Sequence, residues 1–127
     1  MNPLDVEFVQ QVADLCAKRD WLLLIDEVQT GVGRTGSLFA FQQFGIKPDV
    51  VSFAKGIAGG LPFGGVMANE KCSKIFTAGT HGTTFGGNPI SAAAAIKTLA
   101  VSPSARWIGI PPTPTSLILR PVLPNTR

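Results

Sequence analysis

The sequence predicts an α/β fold in which a mostly parallel sheet is flanked by helices. Two short apolar runs, residues 22–25 and 50–54, are typical of strands buried on both faces, the pattern that parallel sheets produce. The segment between them, residues 31–48, is long enough for the crossover that parallel pairing requires. An amphipathic helix is predicted before the first run, and an alanine-rich helix is predicted at residues 90–100.

The first helix is predicted from its start signal and its spacing. Asn2 is a suitable N-cap residue, and Pro3 then occupies the first helical position. Apolar residues follow at helical spacing, at Leu4, Phe8, Val12 and Leu15. We therefore expect one face of this helix to pack on the sheet.

Glycine and proline mark the later elements. A glycine-rich connection at residues 56–62 precedes a third predicted strand at residues 64–68, and its glycines allow the backbone to approach a ligand closely. Asn88 and Pro89 repeat the cap-then-proline signal before the alanine-rich helix.

Composition and charge limit the class of protein. Of the 127 residues, 45% are hydrophobic and 15% are charged, which is ordinary for a globular core and not for a disordered chain. The net charge of +3 comes from Arg106, Arg120 and Arg127, because residues 1–101 carry eight basic and eight acidic side chains. These arginines are scattered, so no nucleic-acid partner is predicted.

Neither a membrane partner nor an export signal is predicted. No apolar stretch reaches the roughly 18 to 20 residues that a membrane span needs, and the N-terminus lacks a basic region followed by an apolar one. Cys16 and Cys72 have no metal-ligand spacing and fit reduced thiols. The expected location is the cytoplasm.

The chain changes character after residue 101. Residues 102–127 contain six prolines, three arginines and no acidic residue, without helical or strand periodicity. We expect a proline-rich irregular tail there that is not native to the family of residues 1–101.

An acid and an amine follow the two predicted parallel strands. Asp26 comes directly after residues 22–25, and Lys55 comes directly after residues 50–54. Ligands of open parallel sheets bind outside the carboxyl ends of the strands, so these two side chains are expected to lie side by side. A flat cationic heterocycle would fit between them.

Three motifs in this order and spacing carry a family resemblance. They read Ile-Asp-Glu-Val-Gln-Thr-Gly at residues 25–31, Ser-Phe-Ala-Lys-Gly at residues 52–56, and His-Gly-Thr-Thr-Phe-Gly-Gly-Asn-Pro at residues 81–89. Residues 3–101 resemble the core of the class III aminotransferases, which depend on pyridoxal 5'-phosphate, and within that class they are most similar to the acetylornithine aminotransferases. The resemblance implies that residues 1–101 are part of the large domain of a fold-type I transferase.

The resemblance also implies the roles of individual residues. Lys55 would be the catalytic residue and would bind the cofactor aldehyde covalently, while Asp26 would hold the ring nitrogen protonated. Val28 would pack on a ring face and Gln29 would bind the ring hydroxyl. Thr84 would reach the cofactor phosphate of a neighbouring subunit, so a homodimer is expected.

The implied reaction transfers an amino group from N-acetylornithine, or a similar ω-amino donor, to 2-oxoglutarate. The substrates would be a small amino acid and a 2-oxo acid. Glu27 would orient its neighbours without touching the cofactor. The resemblance places the arginines that grip the substrate outside residues 1–101, and the surroundings of Arg106 and Arg120 do not match theirs.

Three alternatives stay open at this stage. The three motifs are also compatible with an ornithine or 4-aminobutyrate aminotransferase, or with a glutamate-1-semialdehyde aminomutase. The chain is also compatible with a catalytically inactive fragment. A nucleotide-binding module is suggested by G-x-G-x-x-G at residues 31–36. That motif lies five residues beyond the predicted strand, whereas the dinucleotide fingerprint needs its first glycine in the turn directly after it.

Overall fold

The computed structural model of the chain describes residues 3–101. The predicted cap residue Asn2 and the predicted tail at residues 102–127 lie outside the described residues. The elements are, in chain order, helix α1 (Val6–Lys18), strand β1 (Leu24–Asp26), a 3-10 helix (Ala40–Phe44), strand β2 (Val50–Phe53), a 3-10 turn (Lys55–Ala58), strand β3 (Gly65–Ala68), helix α2 (Glu70–Ser73) and helix α3 (Pro89–Val101). No helix within residues 3–101 is long and apolar enough to span a membrane.

Helix α1 begins later than its sequence signal predicts. Asp5 is the N-cap, and its carboxylate accepts hydrogen bonds from the backbone N–H groups of Glu7 at 2.8 Å and Phe8 at 3.3 Å. Aspartate is as strong an N-cap as asparagine, and Asp5 sets the start of the helix instead of the predicted Asn2. The helix lies against the 3-10 helix, where Gln10 Nε2 donates to the Phe44 carbonyl at 3.0 Å. Its predicted apolar face stays largely exposed, and Val9 is its buried residue.

The three strands form a mixed sheet in the order β1-β2-β3. Strands β1 and β2 are parallel, as the crossover length predicts, with Leu24 opposite Val50 and Asp26 opposite Ser52. Strand β3 returns antiparallel to β2, with Phe53 opposite Gly65. The sheet therefore combines one parallel pair with one antiparallel pair across the described residues.

The prediction that both apolar runs are buried on both faces is wrong for the first of them. In β2, Val51 and Phe53 are buried and alternate with half-buried neighbours. In β1, Leu24 is 62% exposed. Strand β1 lies at an edge of the sheet within residues 3–101, and helix α1 packs on the 3-10 helix.

The core lies between β2, the segment around the 3-10 helix, the turn after β2 and helix α3. Its buried members are Leu38, Phe39, Val51, Phe53, Ile57, Ala58 and Ala95. The rings of Phe39 and Phe53 lie 6.1 Å apart between centroids, and the rings of Phe39 and Phe41 are stacked at 5.9 Å. Helix α3 starts as predicted, because Asn88 Oδ1 accepts from the N–H groups of Ile90 and Ser91.

Asp49 joins all three strands at the end of the sheet where β2 begins. Its carboxylate accepts from the Leu23 N–H at 2.8 Å and from Asn69 Nδ2 at 2.7 Å. Its backbone adds two bonds, because the Asp49 N–H donates to the Leu23 carbonyl and the Asn69 N–H donates to the Asp49 carbonyl. The Leu23 N–H and the Asn69 amide hold the pKa of Asp49 below its usual value near 3.8.

We expect acid to weaken this connection. Because the pKa of Asp49 is lowered in the folded state, the unfolded chain binds more protons at low pH, and the stabilisation present above about pH 3.8 is lost as the pH falls through the folded-state value. Urea unfolding between pH 7 and pH 2.5 should show a steeper loss of the free energy of unfolding for the wild type than for Asp49→Asn. Asn69→Ala, which removes one donor, should give an intermediate slope; equal slopes for all three proteins would contradict the assignment.

Candidate active site

The parallel pairing of β1 and β2 brings their carboxyl ends to one edge of the sheet. Asp26 ends β1 and lies opposite Ser52, and Lys55 follows the last residue of β2, Phe53, by two positions. Both side chains are exposed. The two residues that the sequence predicts to be neighbours therefore lie at the same edge.

The Asp26 carboxylate is held through one of its two oxygens. Asp26 Oδ1 accepts from the Val28 N–H at 2.9 Å and from Ser52 Oγ at 3.1 Å. The first bond fixes the turn after β1, and the second crosses to β2. Oδ2 accepts no hydrogen bond from any residue between 3 and 101, so it can accept a proton or a hydrogen bond from a ligand.

Lys55 crosses from β2 to the loop that follows β1. Its ammonium Nζ donates a hydrogen bond to Gln29 Oε1. This contact connects two residues that are 26 positions apart in the sequence. Lys55 and Asp26 form no ion pair within the described chain, since each has a different partner.

The backbone at Lys55 is in the left-handed region, with φ at 52°. Residues with a Cβ are disfavoured there by about 1 to 2 kcal/mol. The turn holds this conformation because Ile57 and Ala58 are buried in the core against helix α3 and Gly59 closes the turn at φ 61°. Such strain is typical of positions that the surrounding packing over-determines, and functional sites are where it concentrates.

Glycine should therefore be more stable than alanine at position 55. Both Lys55→Gly and Lys55→Ala remove the bond to Gln29, but only glycine adopts a positive φ without steric cost. We expect Lys55→Gly to exceed Lys55→Ala by about 1 kcal/mol in the free energy of unfolding, measured in urea. At position 74, where φ is −73°, Lys74→Ala should instead be more stable than Lys74→Gly. A less stable glycine variant at position 55 would refute the strained backbone.

Glu27 fixes the loop that carries Gln29. Its side chain is 1% exposed, and its carboxylate accepts from the Phe41 N–H at 2.8 Å and from the Thr30 hydroxyl. The Gly31 N–H donates to the Glu27 carbonyl at 2.8 Å. Glu27 thus has contacts that suit the orienting role predicted for it, and its side chain is buried.

The remaining predicted residues differ in placement. Val28 is half-buried in the turn after β1, next to Asp26. Thr84 lies in an exposed turn that precedes helix α3. It forms no hydrogen bond with Asp26, Gln29 or Lys55 in the described part of the chain, so the structure groups three of the predicted side chains and leaves Thr84 apart from them.

An open cleft of about 520 Å³ adjoins Lys55. Its lining consists of the glycine-rich connection after β2 and one residue from the loop after β1. The lining residues are Arg34, Lys55, Gly56, Gly59, Gly60, Leu61, Pro62 and Phe63. The cleft is therefore large enough for a small molecule and has two cationic side chains.

Residues 1–109 match the family model described as aminotransferase class III. The chain belongs to the class III aminotransferases. The acetylornithine aminotransferase of Oceanobacillus iheyensis is 54% identical over 99 residues, which cover 78% of this chain and 25% of that protein. The succinylornithine transaminase of Citrobacter koseri is 48% identical over 99 residues, covering 78% and 24%. This class III aminotransferase chain thus spans about a quarter of the length of these relatives.

A solved structure confirms the predicted fold class. The N-acetylornithine aminotransferase of Stenotrophomonas maltophilia superposes with a TM-score of 0.68 and 38% identity, over 82% of this chain and 26% of that one. The class III aminotransferase chain is thus an α/β fragment of the large domain of a fold-type I transferase, with a mixed sheet and flanking helices.

The side chains at the sheet edge fit pyridoxal 5'-phosphate by their chemistry. Asp26 Oδ2 has spare acceptor capacity for a protonated ring nitrogen, and the Gln29 amide suits a ring hydroxyl. Lys55 offers a primary amine next to an open cleft, as an aldehyde requires. Acid, amide and amine are thus gathered at one edge of the class III aminotransferase fragment.

The glycine loop at residues 31–36 has no dinucleotide context in this class III aminotransferase chain. Gly31 lies four residues after the Glu27 carbonyl that its N–H contacts, and the loop folds back so that the Val32 N–H donates to the Leu38 carbonyl at 2.6 Å. A 3-10 helix, Ala40–Phe44, follows in place of the long helix that the fingerprint requires. The nucleotide-binding alternative is therefore not supported at this loop.

Sequence reasoning missed three features of the site. Ser52 binds Asp26 across the two strands, Lys55 has a positive φ, and Arg34 lines the cleft. The parallel register predicts the first, because Ser52 lies opposite Asp26. The other two depend on how the turn and the loop fold, and no local pattern in the sequence encodes them.

Proposed function

We propose that this chain provides the lysine-bearing part of a pyridoxal-phosphate-dependent aminotransferase that transfers an amino group from N-acetylornithine, or a similar ω-amino donor, to 2-oxoglutarate. The observation that carries the proposal is the contact between Lys55 and Gln29 at the edge where Asp26 ends β1. The names of the relatives support the donor, since one is an acetylornithine aminotransferase and another a succinylornithine transaminase. Both names point to ornithine with an acylated amino group.

The catalytic role that we propose for Lys55 follows from its amine and its place. When bound, pyridoxal 5'-phosphate supplies a ring that withdraws electrons and stabilises negative charge at the reacting carbon of the substrate. Lys55 would hold the cofactor through its amine, and it would then carry a proton at that carbon. Its hydrogen bond to Gln29 keeps Nζ at this edge of the sheet.

Asp26, Gln29 and Val28 would hold and orient the ring. A carboxylate next to a ring nitrogen favours the protonated form, because opposite charges lower the free energy of the ion. Oδ1 of Asp26 is already bonded to Ser52 and Val28, so the side chain is fixed while Oδ2 is available. Val28 would cover one ring face, as expected of an apolar side chain half-buried beside the acid.

Thr84 would act at a partner's site in a homodimer. Its turn is exposed, and the neighbouring apolar side chains are uncovered, with Phe85 84% exposed and Ile90 70% exposed. Exposed apolar side chains next to a polar hydroxyl are typical of interaction surfaces. This exposure supports a role for Thr84 in contact with a second subunit and with the cofactor phosphate there.

A cytoplasmic location is proposed on chemical grounds. Cys16 and Cys72 are free thiols in the described residues, and thiols persist in reducing compartments.

Amino acids and 2-oxo acids, the proposed substrates, would be the partners of this site.

Glutamate formation tests the proposed reaction. The purified chain with pyridoxal 5'-phosphate and 2-oxoglutarate should form glutamate when N-acetylornithine is added, as measured by mass spectrometry. N-Succinylornithine should serve comparably, and ornithine and 4-aminobutyrate should be slower donors. Lys55→Ala serves as the control, in which no glutamate above the level without protein is expected.

Two outcomes would redirect the proposal. Faster glutamate formation with ornithine or 4-aminobutyrate than with N-acetylornithine would identify that compound as the preferred donor. Covalent capture of the cofactor at Lys55 without glutamate from any donor would favour the catalytically inactive fragment, which is compatible with a chain about a quarter as long as its relatives.

A further inference from the structure

The cleft next to Lys55 contains a second cation, which has no partner among residues 3–101. Arg34 lines the cleft together with Lys55, and none of the described lining residues is acidic. Within residues 3–101 the Arg34 guanidinium forms neither a hydrogen bond nor an ion pair. Lys55 is hydrogen-bonded to Gln29, whereas Arg34 is a cation of the described lining without a protein partner there.

The loop that carries Arg34 is fixed against the lysine turn. The N–H groups of Val32 and Gly33 both donate to the Leu38 carbonyl, at 2.6 and 3.3 Å. The side chain of Val32 packs next to Gly56, where an added Cβ would lie 3.7 Å from Val32 Cβ. Because Val32 lies next to Gly56, the loop that carries Arg34 is close to the turn that carries Lys55.

We propose that Arg34 binds an oxyanion, carboxylate or phosphate, of the molecule that engages Lys55. This inference rests on the proposed function and adds a specificity-determining residue to it. A guanidinium presents planar donors that pair with two oxygens at once, and such charge-assisted pairs are stronger than neutral hydrogen bonds. The cleft is open and its lining contributes no competing carboxylate, so an arriving anion meets Arg34 directly.

Binding measurements on the full 127-residue chain test the role of Arg34. The dissociation constants of pyridoxal 5'-phosphate and of pyridoxal, which lacks the phosphate, are measured by absorbance, and that of 2-oxoglutarate by equilibrium dialysis. Wild type, Arg34→Ala and Arg34→Lys are compared. Arg19→Ala is the matched control, because it removes the same charge from a side chain that lies over Trp21 and outside the cleft lining.

The source of the oxyanion decides which constant changes. If Arg34 binds the cofactor phosphate, Arg34→Ala should weaken pyridoxal 5'-phosphate by about tenfold and leave pyridoxal unchanged, as expected for the loss of one charge-assisted pair. If Arg34 binds a substrate carboxylate, the about tenfold loss should fall on 2-oxoglutarate instead. Arg34→Lys should recover part of either loss, because it keeps the charge without the planar fork.

This inference alone would be overturned if the dissociation constants of Arg34→Ala equal those of Arg19→Ala while the wild type still binds cofactor at Lys55. A wild type that binds none of the three compounds would overturn the proposed function together with it. Arg34 has no partner among the described residues, so its loss should leave the circular dichroism spectrum and the unfolding transition unchanged.

Discussion

Lys55→Ala is expected to abolish covalent capture of pyridoxal 5'-phosphate. The primary amine at position 55 is the group that would react with the aldehyde, and alanine supplies no nucleophile. The wild-type chain at low cofactor concentration, reduced with borohydride and digested, should carry the cofactor on the peptide that contains Lys55. We expect the yield on that peptide to fall by about a hundredfold or more in the variant, because the reacting group itself is removed.

Lys71→Ala is the matched control for this experiment. Lys71 is exposed, and its hydrogen bond to Asp20 raises the pKa of its ammonium, so this lysine is a poor nucleophile near neutral pH. Its removal should leave the capture of the cofactor unchanged. Equal labelling of Lys55, Lys71 and the other lysines in the wild type would show reaction with exposed amines in general and would contradict a specific site.

Gly31→Ala is expected to have the largest effect on stability. A Cβ added at Gly31 would lie 2.7 Å from the Glu27 carbonyl oxygen and 3.2 Å from Cδ1 of Phe39. The carbonyl is backbone, and it also accepts the Gly31 N–H at 2.8 Å, so relieving the clash breaks that hydrogen bond. Overpacking and a lost buried hydrogen bond together predict a loss of about 2 to 4 kcal/mol in the free energy of unfolding, measured in urea.

The same substitution should weaken cofactor capture, because Glu27 and Gln29 belong to the loop that must move. Gly82→Ala is the control, since an added Cβ there meets nothing within 4 Å and the backbone φ is not positive. That variant should stay within about 0.5 kcal/mol of the wild type. A Gly31→Ala protein as stable as Gly82→Ala would show that the loop after β1 is not held as described.

The sequence predicts the sheet edge well, because strand ends are local signals. The runs before Asp26 and Lys55, together with the length of the crossover, are enough to place both residues at one edge. Burial is predicted less well. An apolar run such as the one that ends in β1 does not reveal whether another element covers it, and Leu24 remains exposed.

The sequence pattern does not predict the contacts that loop residues make. Asp49 shows no signal of its own in the sequence, yet it binds both neighbouring strands through Leu23 and Asn69. Arg34 lines the cleft from a loop that folds back on Leu38. The roles of Asp26, Val28, Gln29, Lys55 and Thr84 remain predictions that the capture and binding experiments address.

The left-handed backbone at Lys55 sets an energetic cost for keeping a lysine at that position. Glycine and asparagine tolerate the same φ at lower cost, so either residue would relieve strain that the lysine maintains. A search for a more thermostable scaffold that does not need the amine should therefore begin at position 55.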